Sequence, residues 1–391
     1  MKRHVTVLLT ALVVVLLAGL VAGAEEQKKD LDRVLLKNGK VVNGKVLAEK
    51  WDKVTCGGRS IPTTQVLDII HYDTPPDFLE ALDLIDKGQY DNALFKLKLA
   101  QDTPHVRGWL KVYIAYYKAE IEWRRSNWEE ARKLYRDFLK NYPDSRFIRT
   151  ASWRIAQSLL NQGSYEAAGD AFGNIFRDSR FAREPLHWKA RFWQIYTLEV
   201  RGQYMDAYTQ YLDTKQKILT SLSREGRDAL FSGKKPPEGE EELVHLYFES
   251  LYRGHLTQAL SGRIDEAYEE FRKLSRKATK ALKNLGVIGM AICDVVRLSK
   301  LDEITGDAVE KVNAARLALA RSFIFFASTD ERRAELLYWS GVAALLLNVD
   351  EEAKAYFSLV ADVYPDSLVA RLCKKELEEL QKTAGKPEEG E

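Results

Sequence analysis

Few residues in this chain stand at spacings that catalysis requires. His245, Glu249 and Arg253 recur every fourth residue, which on a helix would put them on one face. Such a trio could ligate a metal or move a proton, but an exposed polar helix face carries the same pattern. There is no Gly-x4-Gly-Lys-Ser/Thr phosphate loop and no His-Glu-x-x-His zinc pair. The six histidines are scattered, and no motif supports a Ser–His–Asp or Cys–His arrangement. Gly286-x-x-Gly289 is too short to signify a ligand and lies in a helical stretch. Acidic pairs at Glu129-Glu130, Glu269-Glu270 and Glu351-Glu352 are expected at helix starts, where they complement the helix dipole. No catalytic, cofactor-binding or metal-ligating residue is assigned, and the chain is read as a non-enzyme without cofactors.

The elements behind these residues are legible in a repeated phrase. Residues 129–145 read EEARKLYRDFLKNYPDS, and residues 351–367 read EEAKAYFSLVADVYPDS. A helix closed by a proline and written twice marks a helical-repeat array. Its core pattern occurs six times: Gly88-x-Tyr90-x-x-Ala93, Ser126-x-Trp128-x-x-Ala131, Gly163-x-Tyr165-x-x-Ala168, Gly202-x-Tyr204-x-x-Ala207, Gly262-x-Ile264-x-x-Ala267 and Asn348-x-Asp350-x-x-Ala353. The first residue is expected to end one helix in a left-handed conformation. The alanine lets the paired helix approach closely. Four residues on, Leu97, Tyr135, Phe172, Tyr211, Phe271 and Phe357 share the alanine's face.

This pattern resembles the tetratricopeptide repeat. Pro143 and Pro365 match its terminal proline, and Ala81, Ala119, Ala156 and Gly341 match the small residue of its first helix. Alanine spacings of 38, 37 and 39 exceed the usual repeat, and gaps of 60 and 86 residues follow, the second expected to hold a divergent helical pair around 281–325. The resemblance implies a mostly α fold, a tetratricopeptide-like α-solenoid, that binds protein along the first helices of successive repeats. Carried over by position, the candidate peptide groove is Tyr113, Tyr116, Glu120 and Trp123, then Trp153, Gln157 and Leu160, then Lys189, Phe192 and Tyr196. These aromatics suit an extended or helical peptide. Tyr116 and Glu120 stand where the family's carboxylate clamp needs Lys and Asn, so capture of an acidic C-terminal tail by that route is not expected.

Two further segments complete the organisation. Lys2 and Arg3, an apolar run from Val5 to Val21 and Ala22-Gly23-Ala24 describe a signal peptide over 1–24. Residues 31–73 hold short strands around Asn38-Gly39, Gly44 and Gly57-Gly58. VLLKNGKVVNGKVLAE resembles the first half of Sm-like and SH3-like barrels, which implies a small β-barrel module. Repeats are expected over 77–220, an inserted loop over 221–242, divergent helical repeats over 243–381 and a disordered tail over 382–391. The chain has 59 basic residues, two of them in the leader, so the mature chain has as many bases as its 57 acids. That neutrality argues against nucleic acid. Cys56, Cys293 and Cys373 are too few and too far apart for a disulfide framework, and read as small buried residues. The expectation is an exported, non-catalytic, protein- or peptide-binding scaffold of the periplasm or cell envelope, with no membrane insertion after cleavage. At motif level it resembles exported repeat proteins of outer-membrane assembly and the Tol–Pal system. The alternative is a cell-wall glycan-binding module that stacks sugars on the aromatic groove. Partner identity, the role of the β module and oligomeric state are left open.

Overall fold

The computed structural model describes residues 31–104, 107–277, 279–325, 329–365 and 367–384. The expected signal peptide over 1–24 lies outside them. Contacts divide the chain into two compact units, one ending at Ala171 and the other beginning at Phe172.

The first unit opens with six short strands: β1 (Asp32–Leu36), β2 (Val41–Gly44), β3 (Val46–Glu49), β4 (Lys53–Cys56), β5 (Arg59–Pro62) and β6 (Val66–Ile70). They form two antiparallel three-stranded sheets, ordered β2-β1-β6 and β3-β4-β5. The expected closed barrel is not formed among the described residues. The chain breaks at Gly44 and passes from one sheet to the other, because Gly44 lies against Gly57. A side chain on Gly44 would put its Cβ 2.6 Å from the Gly57 Cα. Val34, Val46, Val54, Cys56, Ile61, Val66 and Ile69 fill the space between the sheets.

Helices follow: α1 (Pro76–Asp86), α2 (Tyr90–Gln101), α3 (Trp109–Arg124), α4 (Trp128–Asn141), α5 (Ile148–Asn161) and α6 (Tyr165–Arg177), which contains the division. Pro76 occupies the first turn of α1, where its missing N–H costs nothing. Neither Thr74 nor Asp77 caps that helix. The Thr74 hydroxyl instead donates to the His71 carbonyl at 2.5 Å.

The second unit continues with α7 (Pro185–Val200), α8 (Tyr204–Ser221), α9 (Arg224–Ser232), α10 (Glu241–Leu260), α11 (Ile264–Ser275), α12 (Lys280–Leu298), α13 (Asp307–Phe325), α14 (Asp330–Leu345), α15 (Asp350–Val363) and α16 (Ala370–Ala384). Two expectations are corrected here. The inserted loop over 221–242 contains α9, capped by the Ser223 hydroxyl accepting from the Gly226 N–H and anchored by buried Leu230. Its glycines, prolines and charges conceal one apolar stripe. The tail expected from 382 begins as helix through Ala384, and its remainder lies outside the described residues. The span around 281–325 holds the pair α12 and α13.

The repeated pattern accounts for the hairpins atom by atom. Gly88, Ser126, Gly163, Gly202, Gly262 and Asn348 all adopt positive φ. The residue two places on is the first of α2, α4, α6, α8, α11 and α15 in turn. All six pattern alanines and all six bulky partners, Leu97 to Phe357, are 0% exposed. Glu129-Glu130 and Glu351-Glu352 stand in first helical turns. Glu269-Glu270 do not: Asp265 and Glu266 hold that place in α11.

Candidate functional site

Within the first unit, the sheets and the first hairpins enclose a cleft of about 630 Å³. Residues 45–50 line one wall continuously, and Trp109, Val112, Tyr113, Tyr142, Pro143 and Phe147 line the other. Its floor is a lattice of charges that fixes the β module to the helices. Arg107, just ahead of α3, reaches Asp32 at 2.5 and 2.9 Å and Asp73 at 2.8 and 3.0 Å. Asp32 also accepts from the backbone N–H groups of Val46 and Tyr72. Burial works against the charge on both carboxyls, and the Arg107 guanidinium outweighs it, together with the Val46 and Tyr72 N–H groups at Asp32 and the Arg107 and Trp109 N–H groups at Asp73, holding both below the usual carboxylate range. The same two partners raise the Arg107 pKa.

A second knot lies beside it. Glu49 on β3 meets His71 Nε2 at 2.8 Å, accepts from the Tyr113 hydroxyl at 2.7 Å and faces Arg146 at 3.3 Å. Burial opposes the charge on Glu49, and these partners hold its pKa down nonetheless. The His71 ring stacks on Trp109 at 4.0 Å, and the Trp109 indole N–H donates to Asp73 at 3.0 Å. At the far rim, the Trp51 N–H donates to the Asp144 carbonyl at 2.8 Å and Lys50 bridges antiparallel to Ser145. The Tyr-Pro-Asp-Ser turn thus pairs sideways with the β module.

Asp32, His71 and Asp73 bring one ligand atom each within 4.8 Å of one another. A metal would have to displace the Arg107 guanidinium, which already satisfies both carboxylates and lies 3.2 Å from His71 Nδ1. The donor set is built around an organic cation and does not fit a metal ion.

The residues expected to form a peptide groove are placed as follows. In the first unit Tyr113, Tyr116 and Glu120 are buried, while Trp123, Trp153, Gln157 and Leu160 are partly exposed. Tyr116 stacks on Phe147 at 4.2 Å. Glu120 accepts from the Tyr135 hydroxyl at 2.6 Å and pairs with Arg154 at 2.9 Å. Arg154 in turn covers the Trp123 ring at 3.5 Å and donates to Gln157. In the second unit Phe192 and Tyr196 are buried and Lys189 pairs with Glu242 at 3.4 Å. The Tyr196 hydroxyl donates to the Leu368 carbonyl at 3.1 Å.

These positions therefore join hairpins. Tyr135 of α4, Glu120 of α3 and Arg154 of α5 form one Tyr–Glu–Arg clamp. Tyr211 of α8, Glu199 of α7 and Arg253 of α10 form another, at 3.0 and 2.6 Å. Arg253 and Arg332 then share Glu335, and Arg332 reaches Glu249 at 2.9 Å, so the inner faces of α7, α10 and α14 are closed by a buried ion network. Two of the three residues first singled out at four-residue spacing belong to it, while His245 is exposed. Sequence reasoning did not find the clamps. Glutamate and tyrosine stand 15 residues apart in one and 12 in the other, so they follow no period. It also missed Arg107, Asp32 and His71, which meet one another across 36 to 75 residues.

Two models described as tetratricopeptide repeat match the chain, one at residues 78–146, 116–179 and 154–216, the other at 335–367. No curated protein matches. Among solved structures, a tetratricopeptide repeat protein from Parabacteroides merdae is 16% identical, with a TM-score of 0.47 over 78% of this chain and 97% of that one. The apo form of RapI is 12% identical, with a TM-score of 0.43 over 77% and 98%. A Rap protein complexed with competence and sporulation factor is 13% identical, with a TM-score of 0.39 over 78% and 75%. Likenesses this distant carry nothing about a partner. With the repeat matches, the fold class is mostly α, a tetratricopeptide-like solenoid preceded by a small β region. No described helix is long and apolar enough to cross a membrane.

Proposed function

We propose that this protein is a non-catalytic scaffold that holds a protein or peptide partner, and that it works in the periplasm or cell envelope after removal of residues 1–24. The observation that carries the first half is the use of the repeat residues. The alanines and bulky partners of the hairpin pattern are spent on packing, whereas the first unit keeps an open cleft walled by a strand edge and aromatic side chains. Clefts of this size and lining suit a chain segment anchored by apolar side chains. The second half is supported by Lys2 and Arg3, the apolar run and Ala22-Gly23-Ala24. Likeness to repeat proteins of outer-membrane assembly and the Tol–Pal system rests on motifs alone.

Crosslinking in the native envelope, followed by mass spectrometry, tests the scaffold reading. A reproducible protein partner is expected, and recovery of none would sink it. Trp123→Ala with Trp153→Ala tests the helical groove separately: unchanged partner recovery would confine binding to the cleft. The glycan alternative is less favoured, because Arg154 already covers the Trp123 face that a sugar ring would use. Soluble wall glycan that quenched tryptophan fluorescence, where peptides did not, would restore it. Edman sequencing of the exported protein should begin at Glu25.

A further inference from the structure

We propose that the groove over α10, between α8 and α11 of the second unit, is a second docking site, and that it takes an amphipathic helix from a partner protein, apolar on one face and acidic beside that face. This rests on the scaffold reading and adds a site whose chemistry differs from that of the cleft.

Three helices build the groove. Gly254 of α10 lies against Leu212 and Tyr211 of α8, and Tyr252 and His255 of α10 meet the Phe271 ring of α11. Above α10 the flanking helices leave about 920 Å³ open, where the equivalent groove of the first unit, over α3 between α2 and α4, leaves about 300 Å³. The floor runs from Tyr247 to Gln258 of α10, about 16 Å, or roughly three helical turns. Leu212, Leu251, Leu274 and Leu282 give it an apolar lining. The inserted α9 adds Phe231, which lines the groove and is still 55% exposed. The walls are helices whose backbone groups are spent internally, so an extended chain would find no main-chain partners there. A helix brings its own hydrogen bonds and needs only side-chain contacts, which this lining supplies.

Charge selects the occupant. The four acids that α11 brings to the groove are already paired: Asp265 with Arg297 at 2.8 Å, Glu266 with Arg263, Glu269 with Arg272 at 3.1 Å and Glu270 with Lys273 at 2.7 Å. His255 Nδ1 lies 3.3 Å from the Gln258 Oε1, and Gln258 donates to Glu266 at 3.2 Å. Lys215 and Lys277 remain, and neither holds an ion pair among the described residues. Lys215 is half-buried, and burial lowers its pKa against the pull of Glu270. A cation withdrawn from water without a counter-ion is costly, and a carboxylate on the occupant offsets that cost. A second copy is the poorer fit. The exposed apolar stripe of α13, Leu317 and Ile324, carries Arg321, and would set like charge against the two lysines. A foreign helix with Asp or Glu beside its apolar face complements them.

The test selects phage-displayed random peptides, long enough for about three helical turns, against the full chain and synthesises the enriched sequences. They are expected to carry apolar residues at i, i+4 and i+7 with Asp or Glu beside them. A proline at the centre of a selected peptide should abolish binding, because it breaks the helix. Bound peptide should suppress acetylation of the Lys215 amine, read by peptide mass spectrometry, and leave Lys45 and Lys50 of the first unit as reactive as before. Phe231→Ala removes an exposed side chain and should weaken binding about tenfold. Lys215→Glu with Lys277→Glu should turn the selected flanks basic. The acetylation readout needs no variant and decides the matter even if the double variant does not fold. Absence of any enriched sequence, tolerance of the central proline, an unprotected Lys215, or self-association of the chain that Phe231→Ala abolishes in sedimentation would overturn the proposal. If these outcomes accompany an envelope partner that crosslinks equally to wild type and Phe231→Ala, the scaffold reading stands and only this second site falls.

Discussion

Ser126 and Asn348 carry the clearest cost at the residue scale. They adopt φ of 63° and 56° where four other hairpins place glycine. A side chain in the left-handed region costs about 1–2 kcal/mol, less for asparagine than for serine. Ser126→Gly should therefore stabilise the first unit by about 0.5–1 kcal/mol after the glycine's greater unfolded-state entropy, and Asn348→Gly should change little. Urea denaturation followed by tryptophan fluorescence reads both. Arg107 is the opposite case. Arg107→Ala would strand the buried Asp32 carboxylate and the half-buried Asp73 one, and losing one partner of such a cluster costs about 3–5 kcal/mol. Arg107→Lys should recover only part, since a single ammonium cannot fork to Asp32 and Asp73. Hydrogen exchange localised to β1, β6 and α3 would distinguish this loss from a general one.

At the scale of elements, close helix crossings and one turn clasp dominate. A Cβ on Gly289 would overlap the Phe271 ring, and one on Gly286 would overlap the backbone at Ser275. The short Gly286-x-x-Gly289 motif is thus the seat of α12 on α11. Gly289→Ala should destabilise the second unit by about 1–3 kcal/mol, as overpacking does, measured by calorimetry. The clasp holds the second Tyr-Pro-Asp-Ser turn. Glu331 accepts from the Leu368 N–H at 3.0 and 3.1 Å, and Tyr196 donates to the Leu368 carbonyl. Burial, with Glu335 and Glu249 nearby, pushes the Glu331 carboxyl up to about 7, against the pull of Arg253 and the Leu368 N–H. The folded state then binds a proton that the unfolded chain has released above its ordinary pKa of about 4.3. The stability gained from that proton is complete below this value and is lost as pH rises through about 7. Glu331→Gln mimics the protonated form. It should raise the melting temperature by roughly 2–4 °C at pH 8 and leave it unchanged at pH 4, and an equal rise at both would refute the assignment.

On the scale of the whole molecule, charge and the proposed export are the relevant properties. Without residues 1–24 the acids and bases balance, so no long-range field steers a polyanion. The mature chain should elute from heparin at or below about 0.15 M salt, where the Debye length is about 8 Å, and retention well above that would reopen nucleic-acid binding.

By itself the sequence determined the hairpins: where each helix ends, which alanine packs, and which bulky residue follows. Those features are local, because a left-handed turn, a small residue and a bulky one act within ten residues of one another. Composition misled where a short capped helix, α9, hid among glycines, prolines and charges, and where the last helix ran past the start of the polar tail. Tertiary structure alone decided what the first helices do with their differing side chains. Tyr116, Glu120 and Tyr196 were legible as inward-facing, but whether an inward face is open or filled depends on the next hairpin, and here Arg154, Arg253 and Leu368 arrive from distant segments. The cleft beside β3 was likewise invisible. It exists because Asp32, Asp73 and Glu49 meet Arg107 and Arg146 across tens of residues, and ion pairs leave no period in a sequence.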